Sequence, residues 1–66
     1  MESNLKDKLK LELETYGLRS ISSIKRIIDK MVEANDREGL EWAVFTLEEM
    51  GSEQALFIAK EALNRM

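Results

Sequence analysis

This 66-residue sequence contains no cysteine, no histidine and no proline, and it has only three glycines. Without cysteine no disulfide can form, and without cysteine or histidine an ordinary structural zinc site is excluded. The lack of proline and the scarcity of glycine favour helices joined by short connections. A chain of this length buries only about 60% of its unfolded surface. Its stability must therefore come from good helix packing or from association with another chain.

Groups for catalysis are also missing. With no histidine or cysteine there is no ordinary base or nucleophile for work near neutral pH. No glycine-rich phosphate loop and no set of metal ligands is present. The carboxylates, such as Glu12 and Glu14, are spread over helix surfaces as solubilising charge. We therefore expect a protein that is not an enzyme and that has no cofactor, no metal and no small-molecule substrate.

The sequence has no long apolar run. None approaches the roughly 20 residues that a membrane-spanning helix needs. Residues 1–10 are polar and of mixed charge, so they do not resemble a signal peptide. Because the Lys6, Lys8 and Lys10 cluster is interrupted by Asp7, a membrane-surface role is not indicated either. The expected location is the cytoplasm.

Charge is plentiful and unevenly distributed. Charged residues make up 35% of the chain and the net charge is −3. Residues 1–35 carry seven basic and six acidic groups, whereas residues 36–66 carry three basic and seven acidic groups. The C-terminal half is therefore acidic. This argues against general nucleic-acid binding by the whole chain and permits a partner with a basic surface.

Apolar residues recur at helical spacing in four segments, which predicts an all-α protein: a small bundle of four short helices over about 4–16, 21–34, 36–50 and 52–66. Residues 1–66 form one domain in this prediction, and a homodimer completes the bundle. Residues 9–15 also alternate as a strand would, since Leu9, Leu11 and Leu13 are separated by charged residues. We predict helix there, because no other segment supplies a partner strand.

Residues that favour helix ends separate these segments. Gly17 is a candidate left-handed cap and Ser20 a candidate N-cap for the second helix. Asn35, followed three residues later by Glu38, resembles a capping box. Gly51 and Ser52 are expected to end the third helix and to begin the fourth. Gly39 lies within the third helix, where it is either a tolerated defect or the site of a close backbone approach.

The large aromatic residues lie on the unexpected side of their helices. Trp42 and Phe45 are opposite the apolar stripe of Leu40, Val44 and Leu47, and Phe57 is opposite an alanine-rich stripe. Such rings indicate a second buried surface. The predicted interface has three anchors, a lesser contact and a charged rim: Trp42, Phe45, Phe57, Leu11, Glu41 and Glu49. The rings are covered by the first helix, by a second copy or by a different protein.

These features predict a small protein–protein interaction module that acts as a regulator, inhibitor or adaptor. The alternative is a helix-turn-helix DNA-binding regulator. A helix, a short turn and a second helix opening with serine and basic residues resemble that motif. Ser22, Ser23, Lys25 and Arg26 would then face DNA. Overall acidity disfavours the alternative, since contacts to phosphate normally provide much of the affinity.

Overall fold

The structure, a computed structural model, describes residues 5–19 and 21–66, without the side chain of Leu18. Four helices follow one another: α1 (Leu5–Tyr16), α2 (Ile21–Glu33), α3 (Arg37–Met50) and α4 (Glu53–Asn64). A short 3-10 turn, Gly17–Arg19, joins α1 to α2. The described residues contain no strand, and residues 9–15 lie inside α1. The all-α prediction is confirmed. The predicted cap Ser20 lies outside the described residues.

The helices form a bundle in which α2 and α3 each pack against both α1 and α4. Eleven apolar side chains are buried: Leu9, Leu13, Ile24, Ile28, Met31, Leu40, Ala43, Leu47, Ala55, Ala59 and Ala62. No polar or charged side chain of the described residues is buried with them. The core therefore rests on apolar packing alone. Among the described residues, no helix has the length and apolarity that crossing a membrane requires.

The core face of α4 is made of small residues. Ala55, Ala59 and Ala62 are all fully buried, and this helix has no other buried residue. A buried alanine fills little space, so the bulk at this side of the core comes from α2 and α3, for example from Ile28 and Leu47. The close approach of α4 allowed by the alanines is supplemented at its edges by the partly buried Leu56, Ile58 and Leu63, which pack against the core.

The connection from α3 to α4 follows the prediction. Gly51 has a φ of +80°, and its N–H donates to the carbonyls of Leu47 and Glu48. Ser52 N–H also donates to Leu47, at 3.4 Å, which completes a Schellman motif. The Ser52 hydroxyl then accepts from Ala55 N–H at 3.2 Å and caps α4. Two residues therefore end one helix and begin the next.

The connection from α2 to α3 uses the same chemistry but corrects the predicted capping box. Asn35 is not the N-cap of α3. It has a φ of +57° and ends α2, since asparagine tolerates the left-handed region better than most residues. The cap is Asp36, whose Oδ1 accepts from Gly39 N–H at 3.0 Å. Asp36 N–H also donates to the Met31 carbonyl at 2.8 Å, so it closes α2 as well.

At Gly39, a side chain would force the capping carboxylate of Asp36 to shift from its present position. A Cβ atom at this position would overlap the Asp36 carboxylate, lying 2.8 Å from its Cγ atom. The close approach considered for Gly39 is therefore real, but it involves the side chain of its own cap. Glycine costs about 1 kcal/mol relative to alanine inside a helix. The hydrogen bond from Asp36 offsets part of that cost.

Candidate protein-binding surface

Several large apolar side chains are exposed on the surface of the bundle. Leu11, Phe45 and Phe57 are each 63% exposed, and Tyr16 and Met50 are also exposed. Tyr16 is more than half exposed, although helical spacing places it on the same side of α1 as Leu9 and Leu13. It lies on the last turn of α1, beyond Leu9 and Leu13, the only buried residues of that helix. Burying a phenylalanine side chain stabilises a fold by about 1.5–3 kcal/mol. The single chain does not gain this stabilisation in full from Phe45 and Phe57, because both rings are mostly exposed.

Trp42 is covered by α1 within the same chain. It is partly buried and packs against the core. The groove between α1 and α3 is lined on one side by Lys10, Leu13 and Glu14 and on the other by Trp42, Thr46 and Met50. The Lys6 ammonium lies 6.0 Å from the centre of the indole ring, at the outer limit of a cation–π contact. Packing against the first helix therefore explains the partial burial of Trp42.

Phe45 is not covered in this way. Its ring points away from the buried Leu40, Ala43 and Leu47, and it is 63% exposed. Residues three or four positions apart are neighbours on a helix surface. By that rule the ring adjoins Glu41, Glu48 and Glu49 as well as the partly buried Trp42, and Glu38 lies two turns before it. We call the five exposed residues together the acidic α3 face: Glu38, Glu41, Phe45, Glu48 and Glu49.

The acidic α3 face has little internal charge compensation. Glu41 Oε2 lies 3.4 Å from Arg37 Nε, with both side chains more than half exposed. Such a surface pair contributes little, because solvent screens it. Within the described part of the chain no basic side chain pairs with Glu38, Glu48 or Glu49. Among the same residues, no three acidic side chains are grouped closely enough to hold a metal ion.

Phe57 occupies a different environment on α4. It lies opposite the buried alanines and lines a groove towards α2 with Lys25, Asp29, Ile58, Glu61 and Arg65. Arg65 Nη2 and Lys25 Nζ lie 3.7 Å and 3.1 Å from the two carboxylate oxygens of Asp29. Charge around Phe57 is therefore mixed. This groove shares no lining residue with the groove at Trp42, so the predicted anchors do not meet in one groove.

The two phenylalanines belong to a short repeat that our sequence analysis missed. Residues 41–49 and 53–61 both follow the pattern Glu-x-Ala-x-Phe-x-x-x-Glu. The equivalent alanines, Ala43 and Ala55, are both buried, and the equivalent phenylalanines have the same exposure. Phe45 lies five residues before the last residue of α3, and Phe57 lies four residues after the first residue of α4, which is about 7.5 Å and about 6 Å along the helix axes. The α3–α4 pair therefore presents two related outer faces, each within two turns of the connection.

Leu11 lies apart from these faces. It lines a groove between α1 and α2 with Lys8, Glu12, Thr15, Tyr16 and Ile27. Neither phenylalanine lines this groove. The predicted rim residues Glu41 and Glu49 lie beside Phe45, one helical turn before and after it. Of the predicted interface, the structure brings together Phe45, Glu41 and Glu49, with the partly buried Trp42 one turn away, and it places Phe57 and Leu11 on two other surfaces.

The residues of the DNA-binding alternative do not share one face of α2. Ser22 and Arg26 are exposed on its outer side, and Ser23 is partly buried. Ser23 and Lys25 are two residues apart in sequence, which places them about 160° apart around α2. Lys25 faces the groove towards α4 and pairs with Asp29 at 3.1 Å. The short turn Gly17–Arg19 fits the motif, but the side-chain positions add no support.

No family model, no curated protein and no solved structure matches this chain. Its function has to be inferred from the positions and chemistry of its own residues.

Proposed function

We propose that this chain is a small, non-enzymatic protein–protein interaction module of the cytoplasm. It acts as a regulator, inhibitor or adaptor by burying exposed aromatic side chains against another protein molecule. The observation that carries this proposal is the 63% exposure of both Phe45 and Phe57 in a bundle whose core is closed without them. The second molecule is a different protein or a second copy that completes a homodimer.

The make-up of the outer surface supports a binding role. Protein interfaces commonly place aromatic anchors at the centre and charged groups at the rim. Phe45 has this arrangement, with Glu41 and Glu49 one turn away on either side. A ring kept exposed contributes little to folding, whereas the same ring becomes a strong contact once a partner removes it from water.

The bundle has no need of these rings for its own packing. The buried positions of α3 and α4 are filled by leucine and alanine, including Leu40, Leu47 and Ala59. Removing an exposed side chain away from such positions usually changes stability by less than about 0.5 kcal/mol. Substituting the phenylalanines therefore separates binding from folding.

The test compares the wild-type chain with the double variant Phe45→Ala/Phe57→Ala and the control Gln54→Ala, which changes an exposed residue of α4. Self-association is measured by sedimentation over a concentration series. Binding to proteins captured from the source cells is quantified for all three chains at equal amounts. Truncating an aromatic anchor costs at least about 2 kcal/mol, or roughly 30-fold in affinity.

We expect the double variant to lose self-association or the binding of a specific partner, while Gln54→Ala retains both. Circular dichroism and urea unfolding show that the variants stay folded. The proposal is wrong if a folded double variant equals the wild type in both self-association and partner binding.

A further inference from the structure

We infer that the acidic α3 face binds a basic, amphipathic segment of a different protein, with Phe45 as the apolar contact. This inference rests on the proposed function and goes further, because it names the surface and the chemistry of its partner. The face combines one ring that is 63% exposed with four exposed carboxylates. A partner that fits it must offer an apolar hollow flanked by lysine or arginine.

Charge is the first argument for a basic partner. Residues 36–66 carry seven acidic and three basic groups, and four of those acidic groups lie on this face. Among the described residues, only Glu41 of this face forms an ion pair, an exposed one with Arg37. Complementary charge around an apolar contact accelerates encounter and selects the partner.

The same charges argue against a second copy at this position. Each chain has a net charge of −3. A twofold contact through Phe45 would place the four carboxylates of one copy against the same four of the other, because a twofold interface uses the same patch on both sides. Like charges brought together across an interface are strongly unfavourable. A different, basic molecule avoids this conflict.

Helix geometry sets the spacing of the partner's charges. Glu41 and Glu49 are eight residues apart, which is about 12 Å along the axis of α3. Phe45 lies midway between them. A partner helix that lies along α3 would match this face if it had two basic residues seven or eight positions apart and an apolar residue midway between them. All three then lie on one face of the partner helix, with the apolar residue flanked by basic ones.

The repeat on α4 provides an internal comparison. Phe57 is as exposed as Phe45 and also has glutamates four residues before and after it, Glu53 and Glu61. However, Lys60 occupies the position equivalent to Glu48, and Met50 the position equivalent to Glu38. The α4 face is therefore similar in shape but less acidic. If charge selects the partner, α3 is the preferred face.

The experiment uses a fluorescently labelled helical peptide of about 18 residues, in which a stripe of leucines is flanked on the same face by lysines. A matched peptide has glutamate in place of lysine. Binding is followed by fluorescence anisotropy at low salt and at about 0.5 M salt, where exposed charges are largely screened. The full chain is tested as wild type and as Phe45→Ala, Phe57→Ala, Glu48→Lys and Lys60→Glu.

We expect saturable binding of the lysine peptide to the wild type, weakened by salt, and no binding of the glutamate peptide. Phe45→Ala should reduce affinity by roughly 30-fold, the ratio typical of a lost aromatic anchor, and Phe57→Ala by less than about threefold. Glu48→Lys should weaken binding, although it leaves the ring in place. Lys60→Glu should add a weaker second site on α4, since Lys25 and Arg65 still lie beside Phe57.

The inference is overturned if both peptides bind equally, if Phe45→Ala and Phe57→Ala have equal effects, or if the lysine peptide does not bind. Should the lysine peptide fail while Phe45→Ala abolishes self-association, a second copy is the occupant, and the proposed function survives without this inference. If Phe45→Ala proves unfolded, the test relies on Glu48→Lys. Peptide binding by folded Glu48→Lys that equals the binding by the wild type also overturns the inference.

Discussion

The inner and outer faces of the α3–α4 hairpin use side-chain size in opposite ways. On the inner face of α4 the buried residues are Ala55, Ala59 and Ala62, whereas Phe57 is 63% exposed on the outer face. On α3 the buried Leu47 and the exposed Phe45 lie two residues apart. A fold that needed bulk would bury the phenylalanines. The inner face therefore serves folding, and the exposed rings of the outer face are the basis of our proposal that this face contacts another molecule.

The largest expected effect separates these two roles on α3. Leu47→Ala removes a fully buried side chain and should lower the free energy of unfolding by about 2–5 kcal/mol. Phe45→Ala should change it by less than about 1 kcal/mol, because most of the ring is already in water. Urea unfolding of both variants checks this. Equal losses would show that Phe45 belongs to the core.

The second effect concerns the alanine face of α4. Ala59→Leu adds bulk at a fully buried position, which should destabilise the fold by roughly 1–3 kcal/mol through overpacking. Phe57→Leu is the outer-face control and should leave the unfolding midpoint nearly unchanged. A stable Ala59→Leu variant would mean that α4 packs loosely and that its small residues are not required.

The third effect concerns the N-caps at two connections, the one from α2 to α3 and the one from α3 to α4. Asp36→Ala and Ser52→Ala each remove an N-cap and should cost about 1 kcal/mol. Gly39→Ala should stabilise the Asp36→Ala variant by up to about 1 kcal/mol, since alanine is the better helix former.

In the wild-type background Gly39→Ala should bring no such gain, because the new Cβ displaces the Asp36 carboxylate from the cap. The four unfolding free energies form a double-mutant cycle. Additive effects in that cycle would contradict the link between Asp36 and Gly39.

The smallest effect is expected at the exposed pair on the outer face. Arg37→Ala removes the basic partner of Glu41 and should change the unfolding free energy by less than about 0.5 kcal/mol. It also makes the acidic α3 face more negative, so binding of the lysine peptide should become tighter at low salt. Weaker binding would mean that Arg37 itself contacts the partner.

The sequence was sufficient to predict the helices, because the apolar period of each segment is regular and Gly51 and Ser52 are strong end signals. The boundary at Asn35 was displaced by one residue, since Asn35 and Asp36 are both residue types that cap helices and only backbone geometry separates their roles. The strand alternative for residues 9–15 failed because Leu9 and Leu13 are buried together on one helical face.

Which aromatic rings are covered and which are exposed could not be predicted in the same way. Trp42 and Phe45 are only about 60° apart around α3, so either ring could have met α1. The position of α1 depends on packing across the whole bundle, and it covers Trp42 alone. The repeat around Phe45 and Phe57 was present in the sequence, but its four fixed positions are too few to stand out before their burial is known.

The most direct measurement is a titration of the isotopically labelled chain with the lysine peptide, followed by NMR chemical shifts of the backbone amides. The largest changes should fall along α3 around Glu38, Phe45 and Glu49, and they should disappear in Phe45→Ala. Changes centred on the groove of Leu11 and Tyr16, or on Phe57, would contradict the assignment of binding to the acidic α3 face.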